Sequence, residues 1–133
     1  MQTVHHERTA VKALFRALLD APIKQFPNRG EKLDAPSTQG VYIIYNPQGE
    51  VLHVGRTPSG AGGVRQRLSN HLHAASSFTN KFLKGDGSKL RGGYRFQCLV
   101  VEDRRLRALL EAYAIGCLCP AHIGLSERAS LVT

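Results

Sequence analysis

No apolar run in this 133-residue chain approaches the roughly 18 residues of a membrane-spanning helix, and its polar N-terminus is no signal peptide. These absences predict a soluble, cytoplasmic protein with no membrane partner. Cysteine is scarce and odd in number. Cys98, Cys117 and Cys119 make a poor disulfide framework, so reduced, buried thiols are the expectation. Cys117, Cys119 and His122 do form a compact Cys-x-Cys-x-x-His cluster. A zinc site would want a fourth ligand and a wider knuckle, which leaves small buried hydrophobes as the default. Repeats and low-complexity tracts are missing as well. Acidic residues are the scarcer charge: 10 Asp and Glu face 18 Lys and Arg, for a formal charge of +8 and a pI near 9.9. That balance favours an anionic partner, most commonly nucleic acid.

What is present organises simply. From about residue 6 to 20, Val11, Leu14, Phe15, Leu18 and Leu19 have amphipathic helical spacing, ended by Pro22. A polar stretch with Pro27, Asn28, Gly30 and Pro36 reads as a linker. Val41–Tyr45 is a rich β run, Asn46-Pro47-Gln48-Gly49 is turn chemistry, and Val51–Val54 should return as the hairpin partner. Residues 57–63 hold Pro58 and three glycines and cannot be regular structure. Val64, Leu68, Leu72 and Ala75 mark a helix with one apolar stripe. Phe78 and Phe82 fit one short helix, and residues 85–93 a glycine- and lysine-containing loop. Tyr94–Val101 is the next strand. Asp103 can cap a helix whose Leu106, Leu109, Leu110, Tyr113, Ala114 and Cys117 share a face, closed by Pro120. The expected fold is α/β: a small sandwich with a three-stranded, mostly antiparallel sheet flanked by helices. Residues 1–35 form an N-terminal helical extension and linker, and 36–133 the main domain.

Several polar side chains stand out against this frame. Arg67 and His71, at i and i+4, project to the same side of their helix beside its apolar stripe. A guanidinium there can hold a phosphate and offset charge that builds in a transition state. Tyr42 lies on the opposite strand face from Val41, Ile43 and Tyr45. His53 sits on the partner strand, within reach of the same edge. Glu111 fits a hard-cation ligand, since magnesium takes one or two carboxylates and keeps waters and phosphate as its other partners. A bland alternative pairs Glu111 with Arg107, one helical turn earlier.

In order, Gly40-Val41-Tyr42, His53-Val54-Gly55, Arg67-Leu68-Ser69-Asn70-His71 and Leu109-Leu110-Glu111 with the later Pro120 resemble the GIY-YIG nuclease superfamily. The resemblance spans roughly residues 38 to 123. It implies a metal-dependent endonuclease acting on DNA, with Tyr42, His53, Arg67, His71 and Glu111 catalytic, and Mg2+ or Mn2+ on Glu111. Tyr42 would orient or deprotonate the attacking water. Two positions depart from the family pattern. His53 stands where tyrosine is common, although imidazole titrates near pH 6.5 and can itself accept a proton. Pro120 is followed by Ala121, His122 and Ile123, not by the family's asparagine.

Other basic residues suit backbone binding. Arg56 and Arg65 lie near the proposed site, and Lys81, Lys84, Lys89, Arg91 and Arg95 surround the second glycine-rich loop. The first glycine-rich loop is no nucleotide-binding P-loop, because no Gly-Lys-Ser/Thr follows it. The competing reading is a non-catalytic nucleic-acid-binding module on the same fold. A double-strand break would require a homodimer if each subunit has one site.

Overall fold

A computed structural model describes residues 3–73 and 76–123. Helix α1 (Thr3–Asp20) is followed by strands β1 (Lys24–Gln25), β2 (Gly40–Tyr45) and β3 (Val51–Arg56). Helices α2 (Gly63–Leu72) and α3 (Ser77–Phe82), a 3-10 turn (Gly87–Arg91), β4 (Arg95–Val100) and α4 (Arg104–Leu118) complete the order. The sheet has four strands in the order β1-β4-β2-β3, every neighbouring pair antiparallel. The expected three-stranded sheet is therefore corrected by β1, whose Lys24 and Gln25 pair with Phe96 and Arg95. Two residues are too short for an alternating pattern, so this strand leaves no periodic signal.

β2 is an inner strand, between β4 and β3, covered on both faces. That is why Val41–Tyr45 reads as a continuous apolar run and not as an alternation. Tyr42 and Ile44 face a core built with Val64, Leu68 and Leu72 of α2, Phe78 of α3, Leu90 and Phe96. Val41 and Ile43 face a second core with Leu18 of α1 and Leu110 and Ala114 of α4. The stretch read as a linker contributes Phe26, Leu33 and Ala35 to the first core. The β2–β3 turn is held by Asn46, whose Oδ1 accepts from the backbone of Gln48 (3.0 Å) and Glu50 (2.8 Å). Asp103 caps α4 by accepting from the Leu106 N–H at 2.9 Å, as its type and position suggest. Buried Gln97 reaches across the sheet: Tyr45 donates to its Oε1, while its Nε2 donates to the carbonyls of Leu19 (3.3 Å) and Ala21 (3.0 Å). These bonds fasten the end of α1 to the sheet. Ala75, expected on the stripe of α2, lies outside the described residues. No helix among the described residues is long and apolar enough to cross a membrane.

Candidate functional site

Tyr42 on β2 and His71 on the last turn of α2 meet in the first core, with Oη and Nε2 2.8 Å apart. The neighbouring bonds fix which nitrogen carries the proton. Thr79 Oγ1 donates to the His71 carbonyl (2.6 Å), so it can only accept from Ser76 Oγ (3.0 Å). Ser76 thereby uses its one hydrogen, and must accept from His71 Nδ1 at 2.6 Å. His71 is consequently protonated at Nδ1, its Nε2 is an acceptor, and the Tyr42 hydroxyl donates to it. Both groups are buried. Burial pushes the Tyr42 phenol up to about 12, opposed by the nearby Arg67 charge. Burial first, then the surrounding His53, Arg67 and His122, hold His71 down at about 2. At neutral pH the free protein carries a neutral phenol bonded to a neutral imidazole.

His53 packs against this pair, edge-on to the His71 ring and tilted to that of Tyr42. Its ring lies 5.2 Å from that of His71 and 5.8 Å from that of Tyr42, and it stacks on Phe78 at 5.0 Å and 20°. Burial, followed by the charge of His122, holds His53 down at about 4. Its Nδ1 is buried with no hydrogen-bond partner. His122 reaches the same place from beyond α4, bonding its backbone N–H to the Leu52 carbonyl (2.8 Å) and placing its ring 5.1 Å from His53. His122 is thus turned away from the exposed Cys117 and Cys119. The expectation of buried thiols is corrected for those two residues, because the last turn of α4 emerges from the core. Among the described residues, no group of three or more His, Cys, Asp and Glu side chains is arranged to hold a metal.

Beside Tyr42 the surface opens into a hollow of about 300 Å³ lined by Arg56, Pro58, Arg67 and Glu111. Arg56 Nε donates to Glu111 Oε1 at 2.9 Å. The Arg107 pairing considered for Glu111 is not formed. Arg107 is buried, and its guanidinium donates to the carbonyls of Thr57 (2.8 Å), Pro58 (2.6 Å), Val101 (3.0 Å) and Glu102 (3.0 Å). It ties the start of the glycine-rich loop to α4 and so holds one wall of the hollow. Nothing in the sequence marks this role, since the four partners are backbone atoms. Arg67 is half-buried, and its Nε has no partner. A buried donor left open costs about 1–3 kcal/mol unless a ligand or water meets it. Gly55 completes the packing: an added Cβ would run into Tyr42 Oη and lie 2.5 Å from its Cζ.

The remaining basic residues divide by position. Arg65 Nε donates to the Ala35 carbonyl (2.9 Å), and Arg91 donates to the Pro27 carbonyl (2.7 Å), so each supports a neighbouring segment. Lys81, Lys84 and Lys89 are exposed along α3 and the 3-10 turn. The five residues singled out for catalysis lie on β2, β3, α2 and α4. Tyr42, His53 and His71 meet in one buried cluster, and Arg67 and Glu111 line the hollow beside it. Sequence reasoning missed Ser76, Arg107 and the pairing of Arg56 with Glu111. A comparison with models of known protein families finds no match to this chain, and a comparison with curated proteins finds no significant relative.

Proposed function

We propose that this chain is a GIY-YIG-type, divalent-metal-dependent endonuclease that hydrolyses DNA phosphodiester bonds on that family's small α/β sandwich. The supporting observation is the directed bond from Tyr42 Oη to His71 Nε2, beside the open Arg67 donor. In this reading Arg67 Nε and Arg56 hold the oxygens of the scissile phosphate and offset the charge developing on them. Tyr42 Oη accepts a proton from the attacking water as its own proton passes to His71 Nε2, so no free tyrosinate forms. An incoming phosphate anion also offsets Arg67, one of the cations that hold His71 down. Basicity at His71 would then rise only once substrate is bound.

The residues present fit a magnesium or manganese ion of the kind that takes one protein carboxylate. Among the described residues Glu111 is the only carboxylate lining the hollow, and Arg56 Nε bonds to its Oε1. Such an ion on Glu111 would, when bound, supply polarisation of a phosphoryl oxygen. Lys81, Lys84 and Lys89 would track the flanking backbone.

A plasmid-nicking assay with magnesium and with manganese tests the reading. Wild-type protein is expected to nick. Arg67→Ala and Glu111→Ala are each expected to lose on the order of a hundredfold in rate while DNA affinity falls much less. Undiminished nicking by a rigorously purified Glu111→Ala protein would overturn the assignment. Salt-sensitive DNA binding with no nicking under either metal would replace it with the non-catalytic module.

A further inference from the structure

A second hollow, of about 210 Å³, adjoins the first and shares Pro58 and Arg67 with it. The chemistry of the two differs. The first is lined by Arg56, Arg67 and Glu111, whereas the second is lined by Gln39, Thr57, Ser59, Gln66 and Asn70, with Arg67 its only charged side chain among the described residues. From this pairing of a charged hollow with one lined mainly by uncharged, hydrogen-bonding side chains, we infer that the second hollow is a nucleoside subsite. It takes the sugar and base adjoining the phosphate held at Arg67. This inference rests on the phosphodiester reading above and adds where the rest of the substrate lies.

The lining is organised and not merely polar. Gln66 and Asn70 are one turn apart on α2, and Gln66 Nε2 donates to Asn70 Oδ1 at 2.9 Å. That bond engages the Gln66 amino group and the Asn70 carbonyl oxygen, and leaves the Gln66 carbonyl oxygen as an acceptor and the Asn70 amino group as a donor on one helix face. An acceptor and a donor on residues one turn apart are the groups that a base edge, with its own donor and acceptor, can bond. Opposite them, Gln39 Nε2 donates to the Gly60 carbonyl at 2.5 Å and pins the glycine-rich loop as the facing wall. The loop keeps its path through positive φ at Gly60 (104°) and Gly62 (93°). A Cβ at Gly62 would lie 2.6 Å from the Gln66 Cβ, so glycine there leaves room for the Gln66 side chain. Thr57 holds the rim from below, its Oγ1 accepting from the Gly40 N–H at 3.1 Å.

The test is a metal-free NMR titration of wild-type, Asn70→Leu and Gln66→Met proteins with inorganic phosphate and with the four deoxynucleoside 5′-monophosphates. Both substituted side chains lie at the surface of α2, and circular dichroism checks that each variant is folded. In the wild type at least one nucleotide is expected to bind about fivefold or more tightly than phosphate. It should shift the Asn70 and Gln66 side-chain amides as well as Arg67 Nε–H, whereas phosphate should shift Arg67 alone. Each variant is expected to lose the nucleotide advantage and keep its phosphate affinity. Equal affinities, with only Arg67 responding, would overturn the subsite and leave the phosphodiester reading standing. No response of Arg67 to either ligand would overturn both.

Discussion

Tyr42 and His71 act as a pair only because Ser76 decides which imidazole nitrogen carries the proton. With alanine at 76 the Nδ1 proton loses its acceptor, the Nε2–H form gains population, and that form cannot accept from Tyr42. Ser76 also caps α3 by accepting from the Thr79 N–H at 3.1 Å, so Ser76→Ala should lose about 1 kcal/mol of stability. The distinguishing readout is imidazole nitrogen-15 NMR, which should report Nδ1–H for His71 in the wild type and a shift towards Nε2–H in the variant. Nicking should fall on the order of a hundredfold, and Ser76→Thr should restore most of it. An unchanged tautomer would contradict the assigned bond directions. Glu111→Gln probes charge at constant shape: with both partners of the Arg56 pair partly exposed, stability should change by less than about 1 kcal/mol. Metal-dependent nicking should nevertheless fall on the order of a hundredfold, as for Glu111→Ala. The types and spacing of Tyr42, Arg67, His71 and Glu111 were legible in the sequence. Ser76 was not, because a serine before a short helix is ordinary capping chemistry until a histidine is placed against it.

At the scale of elements, the site depends on where β3 and α4 are fixed. Gly55 lets β3 pass under the Tyr42 ring, so Gly55→Ala must displace either the strand or the ring. A loss of about 1–3 kcal/mol in urea unfolding is expected, together with loss of nicking. Retention of both would show that the ring can move aside without consequence. Arg107 joins the loop after β3 to the start of α4 through four carbonyls. Arg107→Met keeps much of the stem but leaves those acceptors without their donor, and about 3 kcal/mol or more should be lost in thermal or urea melts. The longer elements were readable because their apolar residues repeat: Val64, Leu68 and Leu72 on α2, Leu110 and Ala114 on α4. β1 and the Gln97 bridge to the end of α1 were not, since each depends on contacts between distant segments.

The whole molecule stores an acid sensitivity in its histidine cluster. His71 and His53 sit at about 2 and about 4 when folded, below the unfolded value near 6.5. Below 6.5 the unfolded chain therefore binds more protons than the folded one, so stability is full above that pH and falls as pH drops. Between about pH 6 and 4 both groups contribute, at up to about 1.4 kcal/mol per pH unit each; below 4 only His71 continues. Urea midpoints at pH 7 and 4.5 should differ clearly, and His53→Phe should flatten the dependence. Equal midpoints would show that the cluster admits water or protons without unfolding.

By itself the sequence determined the apolar stripes of the longer helices and strands, the hairpin, the capped α4 and the inventory of phenol, imidazole, guanidinium and carboxylate groups. Those follow from periodicity, turn chemistry and residue type, which are properties of neighbours along the chain. Only the tertiary structure decided that Arg56 and not Arg107 meets Glu111, that Ser76 sets the His71 proton, and that His122 turns inward to His53. The first and last of those choices join segments distant in the chain, whereas the Ser76 bond is local but takes its direction from Thr79, and the direction of a hydrogen bond exists only once its acceptor is in place.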